Sequence, residues 1–454
     1  MASEKNRPFT NREFYGRLVS LVIPIAFQSF MVAIVNASDA LMLARLDQTS
    51  LSAVSLATQI AFIASLFLFA FNTGLSIFAA QYWGKNDIDS IEKIFAYVVK
   101  ISSSIAFIFS FLSFFFPDLL MRIYTEDSLI IEKGVIYLKI VSPSYLFAGI
   151  SQIYLCILKN SEHALISTVI SSFCVVLNII LNALFIYGLL GAPRLEIAGA
   201  ALATLIARFV ELAWTLLETA RPGRLKFRLK YFFRIEKVFR LDFWKYSYPV
   251  LLSNVSWGVA FSMYSVIMGH LGSDAVAANS ISNIVKNLVC CMSSGLSAGA
   301  GIMIGNELGR ENFEKARIYG SKFCHIALLN GVLMGGIIIL LIPTVLKNVS
   351  MSEEALRFLK LMLFICSYNM IGKSINCVTN CGVFPAGGDS KFCMICDTIS
   401  MWVVSVPAGF LSAFVFDAPV LIVYFILNLD EILKLPVIYL YYKKYHWLKN
   451  ITRN

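Results

Sequence analysis

The chain has 454 residues, of which 58% are hydrophobic and only 15% charged, with a formal net charge of +10. That composition excludes an ordinary soluble domain and predicts an all-α polytopic membrane protein. The positive excess does not point to nucleic acid, because the basic residues collect in one alternate set of connectors, as membrane topology demands.

Residues 1–17 are polar and are followed by a hydrophobic run too long for a cleavable signal. Thr10 and Glu13 fit a capping box for a short helix lying along the membrane surface. Twelve apolar runs follow, each near the roughly 20 residues that cross a bilayer as a helix. They are expected at 18–44, 51–82, 95–116, 135–158, 164–190, 197–217, 244–270, 276–303, 321–345, 355–380, 392–416 and 418–442. The division is a six-helix lobe at 1–217 (with 1–17 as a cytoplasmic tail), a basic cytoplasmic linker at 218–243, and a second six-helix lobe with its tail at 244–454.

The first span carries Pro24, which removes a backbone donor and is read as a hinge. Further along the same span lie Asn36 and Asp39, three apart and so on one helix face. A carboxylate inside a bilayer is costly and marks a functional site by default. The fifth span offers Asn178 and Asn182, four apart, with Asn182 at nearly the depth of Asp39. A carboxylate facing amide oxygens suits either sodium or a proton; a polar packing cluster without an ion is the alternative. Arg208 and Glu211, in the sixth span, are spaced to neutralise each other.

The linker at 218–243 holds Arg221, Arg224, Lys226, Arg228, Lys230, Arg234, Lys237 and Arg240. The opposite connectors carry acids such as Asp47, Asp118, Glu126, Asp274 and Glu353. The bias places both termini in the cytoplasm.

After the linker the pattern repeats 225 residues on: Pro24 returns as Pro249, Ala53 as Ala278, Gly74 as Gly299, Gly84 as Gly309 and Ser142 as Ser367. Two halves of six spans each enter from the same side, so they are expected to be a parallel pseudo-two-fold repeat, with binding near their seam. The last span carries Asn428, Asp430, Glu431 and Lys434. With Lys286, Lys373 and Asp397 these form a possible second polar network of three acids and three lysines.

All ten cysteines fall in or beside apolar spans and read as small hydrophobes. Cys393-x-x-Cys396 has redox spacing but no second pair follows in register. No phosphate-cradling Gly-rich loop with Lys-Ser/Thr is present, so an ion gradient rather than ATP is the expected energy source.

Several separated motifs resemble the multidrug and toxic compound extrusion (MATE) family, across essentially the whole length and in its NorM-like branch. They are Asp39 with Met42-Leu43-Ala44-Arg45-Leu46 and Leu51-Ser52-Ala53-Val54, then Ala79-Ala80-Gln81-Tyr82-Trp83-Gly84, and Asn178-x3-Asn182 with Tyr187-Gly188. Gly199-Ala200-Ala201-Leu202-Ala203-Thr204, Gly305-Asn306-Glu307-Leu308-Gly309 and Ala386-Gly387-Gly388-Asp389 complete the pattern. The resemblance implies a cation-coupled antiporter of the plasma membrane (the cell inner membrane), moving sodium or protons inward and small amphipathic, cationic drugs or metabolites outward. Carried over by match, Asp39, Asn178 and Asn182, with Asn36 close by, would form the cation site; no cofactor beyond the coupling ion, and no metal beyond sodium at Asp39, is implied.

Two departures stand out. NorM-like members often carry Glu near Asn254 and an acid near Ser374, and this chain has neither. Coupling is thereby expected at Asp39 or at Asp430 and Glu431. The expected partners are a small organic cation and membrane lipids, with the chain acting as a monomer. Two other readings are kept. A flippase for a lipid-linked saccharide would need several basic residues to meet pyrophosphate, of which the first half offers little beyond Arg208. An intramembrane enzyme would need a convergent His, Ser or metal constellation, and the four histidines show no ligand spacing.

Overall fold

A computed structural model describes residues 10–44, 46–233, 235–349 and 351–453, except the side chains of Asn36, Ala37, Ala40, Leu41, Ala44 and Gln48. Every regular element among them is helical. The series begins with α1 (Asn11–Ala44), α2 (Gln48–Lys85), α3 (Ile88–Phe115), the short α4 (Pro117–Arg122), α5 (Ser128–Asn160), α6 (Ala164–Tyr187) and α7 (Glu196–Thr219). The short α8 (Leu229–Phe233) lies in the basic connector. It continues with α9 (Lys237–His270), α10 (Ser273–Val289), α11 (Cys291–Gly309), α12 (Phe313–Asn348), α13 (Glu353–Val378) and α14 (Phe384–Ala386). Last come α15 (Ser390–Thr398), α16 (Val406–Phe414), α17 (Val420–Leu427) and α18 (Asp430–Lys443). π-Helical turns at Thr379–Val383 and Ile399–Ser405 join α13 to α14 and α15 to α16.

Ten helices among the described residues are long and apolar enough to cross a membrane, or eleven if α10 and α11, bent by 42°, count as one span. The segment expected as a twelfth, 418–442, is divided at Asn428 and Leu429 into α17 and α18. The second piece opens with Asp430 and Glu431 and contains Lys434 and Pro436. Those charges and the missing proline N–H work against one long apolar helix.

The N-terminus departs from its expected form. α1 runs unbroken from Asn11, so residues 11–17 extend the first span rather than forming a separate surface helix. The cause is packing against α12: Phe14 is fully buried against Tyr319 and Phe323, with ring centres 5.0 and 5.5 Å away. Glu13 accepts from Lys315 Nζ at 3.0 Å instead of closing a capping box.

The chain forms two compact units. One comprises Met1–Ser29, Ala80–Asn86 and Lys245–Asn454; the other comprises Phe30–Ala79 and Asp87–Trp244. α1 therefore passes from the first unit to the second five residues after Pro24. The core of the first unit gathers Ile267, Leu359, Leu363, Met370, Val423 and Tyr424 from α9, α13 and α17. That of the second gathers Val54, Ile60, Tyr137, Leu138, Ile186 and Ile197 from α2, α5, α6 and α7. Because lipid is as apolar as these side chains, such cores act by close packing, and the polar contacts between helices fix which faces meet.

Candidate functional site

In the second unit α6 and α7 approach closely because Gly199 has no side chain; a Cβ there would sit 2.7 Å from the backbone of Phe185. That closeness brings Thr204 of α7 beside Asn178 of α6, whose Nδ2 lies 3.4 Å from the Thr204 hydroxyl oxygen. Thr204 itself donates to Ala200 O at 3.1 Å, so its oxygen is free to accept. One turn along α6, Asn182 Nδ2 donates to Asn178 Oδ1 at 3.1 Å and to Asp39 Oδ1 at 2.6 Å. Tyr187 then donates to Met42 O at 2.9 Å, and Gly188 ends α6 in the left-handed region at φ 70°. α6 is thus tied to α1 by its polar face and again by its last residue.

The structure brings together Asp39, Asn178 and Asn182. Asn36 lies in α1, but its side chain is outside the described residues. Asn182 is only 1% exposed, and its Oδ1 is buried without a hydrogen-bond partner among the described residues. An unpaired buried amide oxygen costs free energy unless a cation or donor meets it. Tyr145, in the same core, has a buried hydroxyl in the same condition. The arrangement offers a carboxylate and an uncompensated carbonyl oxygen side by side, which suits a hard cation or a proton.

In the first unit the direct contacts of the second polar network centre on one of its three lysines. Lys434 Nζ lies 3.2 Å from Asp397, 3.3 Å from Asp430 and 4.0 Å from Glu431. Asn376 donates to Glu431 Oε2 at 2.8 Å and to its carbonyl at 2.6 Å. Asp397 also accepts from Ser253 at 3.2 Å and Asn380 at 3.3 Å. All three acids gather on Lys434; Lys286 and Lys373 make no ion pair among the described residues but lie within electrostatic reach of Glu431. Asn428 turns back to Tyr424 O at 2.8 Å and stays outside the cluster.

Arg208 pairs with Glu211 at 2.7 Å as its spacing requires, and Glu211 also accepts from Ser151 and Gln152. Thr204, Ser253, Asn376 and Asn380 escaped sequence reasoning as site residues. Only Thr204 carried a signal, as the end of the Gly199–Thr204 motif; the others are single polar residues whose partners lie on distant helices.

The MatE family model matches residues 24–184 and 249–411, the second match opening at Pro249, the repeat partner of Pro24. The uncharacterized transporter YisQ of Bacillus subtilis is 21% identical over 394 residues, which span 87% of this chain and 86% of that protein. The multidrug resistance protein MdtK of Photorhabdus laumondii is 24% identical over 413 residues, again 87% and 86% of the two chains. Among solved structures, an outward-facing multidrug resistance MATE family transporter of the MOP superfamily superposes with a TM-score of 0.86 at 19% identity, covering 97% of this chain and 98% of that one. A MOP superfamily transporter from Pyrococcus furiosus gives 0.85 at 19% identity over 96% and 98%. At these identities the superpositions establish the fold.

Proposed function

The chain belongs to the MatE family and is a multi-pass membrane transporter rather than an enzyme; on that premise we propose that it is an antiporter that exports amphipathic, cationic drugs or metabolites while sodium or protons move inward. It works as a monomer in the plasma membrane with both termini in the cytoplasm, where the basic linker and tails would meet the positive-inside bias.

The observation that carries this reading is the pairing of Asp39 with Asn182 at 2.6 Å beside an orphaned, buried Asn182 oxygen. A sodium ion entering from outside would find the Asp39 carboxylate and the amide oxygens of Asn178 and Asn182. A proton would neutralise Asp39 and release its hold on the Asn182 amide. Either event favours the conformation that binds it better, and only that difference drives the switch. Pro24, without a backbone donor and five residues before α1 passes between units, supplies the bend through which repacking reaches the substrate path. Alternation then follows from cation binding on one side and release on the other.

The test is efflux of a fluorescent organic cation from proteoliposomes under separately imposed inward sodium and proton gradients. Acceleration by one of them is expected; efflux indifferent to both would overturn the reading.

A further inference from the structure

Lys286 and Lys373 make no direct contact with the acids gathered on Lys434. Both are half-buried in helices of membrane-spanning length or its bent equivalent, and among the described residues neither ammonium has an ion-pair or hydrogen-bond partner. Three carboxylates on Lys434 leave negative charge in excess there, and the two lysines lie within electrostatic reach of Glu431 without touching it. An ammonium taken out of water without a partner is strongly disfavoured. Within a bilayer such residues face a partner or a watery path.

α10 and α13 pack side by side through Val285, Cys366 and Met370, and Cys290 Sγ lies 3.6 Å from Met370 Sδ. Lys286 occupies the last turn of α10, just before the 42° bend into α11. Lys373 follows Met370 by one helical turn, within electrostatic reach of both Lys286 and Cys290. Asn369, one turn before Lys373 on the same face, is 4% exposed, and its Nδ2 has no hydrogen-bond partner among the described residues. The C-terminus of α10 and the N-terminus of α11 meet at the same bend, so their partial charges oppose each other there. Broken helices of this kind are where transporters hold charged parts of their substrates. Glu431, the acid within electrostatic reach of both lysines, is already engaged by Asn376 and Lys434.

We propose that Lys286 and Lys373 form an anion subsite that receives the carboxylate, sulfonate or phosphate group of an amphipathic zwitterion. This deepens the transport reading above and rests on it: the exported molecules carry an acidic group as well as their cationic one. Asn369 supplies a third donor and positions the acid between the ammonium groups.

The experiment uses the full chain in phosphatidylcholine nanodiscs and two matched probes, a rhodamine with a free carboxylate and its ethyl ester. Fluorescence anisotropy should show the free acid binding about tenfold more tightly than the ester, the scale of one charged contact. The double variant Lys286→Gln/Lys373→Gln should lose that preference with the ester unaffected, and Lys286→Arg/Lys373→Arg should retain it. No preference in the parent protein, or equal weakening of both probes in the Gln variant, would overturn the subsite. Repeating the titration with phosphatidylglycerol in the disc separates two sources of the anion. A preserved preference supports a substrate group, and its disappearance assigns the subsite to a lipid headgroup and defeats the zwitterion proposal. Gradient-driven efflux of the ester is measured alongside. If the ester moves under neither gradient, the transport reading fails; if it moves but the acid has no advantage, only the subsite fails.

Discussion

Gly84 and Gly309, displaced by the 225-residue repeat, turn their bare Cα atoms onto each other's segments in a reciprocal contact. A Cβ on Gly84 would collide with the backbone of Asn306, and one on Gly309 with the backbone of Gln81. Asn306 is itself the repeat partner of Gln81. The ends of α2 and α11 thus cross at a point where each demands from the other what it supplies. Gly84→Ala and Gly309→Ala are each expected to lower stability by about 1–3 kcal/mol through overpacking, read as a reduced melting temperature in detergent. An unchanged melting temperature in both would remove the crossing as a structural requirement.

Asp39→Asn keeps the shape of the side chain and removes its charge. If the cation is held at Asp39, gradient-driven efflux should fall to the level of empty liposomes while binding of the organic substrate survives. Efflux that still responds fully to the gradient would place coupling elsewhere, with the Lys434 cluster as the next place to look.

Asn182→Ala removes both the donor to Asp39 and the orphaned oxygen. A hydrogen bond to a charged group is worth about 1.5–3 kcal/mol. If the coupling ion is sodium, which loses an oxygen ligand, the concentration needed for half-maximal transport should rise; if it is a proton, loss of the donor that favours ionised Asp39 should lower it, in either case by roughly ten- to a hundredfold and with little change in maximal rate. A reduced maximal rate at unaltered cation dependence would assign Asn182 to packing.

Much of this was legible because helical spacing is a short-range rule. The i, i+4 pair Asn178 and Asn182, and the depth of Asp39 counted from the outer end of its span, placed three residues that do meet. What stayed hidden depends on how distant helices rotate about their axes. The acids Asp397, Asp430 and Glu431 all face Lys434 because α15, the following π-turn and α18 present them there, and no spacing in the sequence states that rotation. The same is true of Asn376 and Asn380, which sit on α13 and its π-turn. The segment at 418–442 has span-like apolarity overall, yet it divides where Asn428 bonds back to Tyr424 and the charges of α18 begin. Glu13 misled for a related reason: its local capping pattern lost to Lys315, some three hundred residues away.

Lys434→Met should be among the most damaging single changes outside the Asp39 site. It leaves Asp397, Asp430 and Glu431 without their common cation, and breaking a buried pair typically costs about 3–5 kcal/mol. Low yield and a sharply lowered melting temperature are expected, largely restored by Lys434→Arg. Were the Met variant as stable as the parent, the three acids would have to be neutral without it.

Asp47 gives a pH-dependent prediction outside the membrane-spanning segments. It caps the start of α2, accepting from the Ser50 N–H at 2.7 Å and from the Ser50 hydroxyl, and Lys133 reaches it from α5 at 3.1 Å. The Ser50 hydrogen bonds, aided by Lys133, pull its carboxyl from the ordinary 3.8 down to about 2. Because the folded value is the lower one, ionised Asp47 stabilises the fold fully above the ordinary value, and the benefit is lost as pH falls through about 2. Asp47→Ala should cost about 1 kcal/mol as a lost cap. The melting-temperature gap between parent and variant should be constant above pH 5, narrow below about 4 and close near 2. A gap that persists unchanged through that range would mean the contact does not depend on the charge of Asp47, and that Ser50 and Lys133 are held by something else.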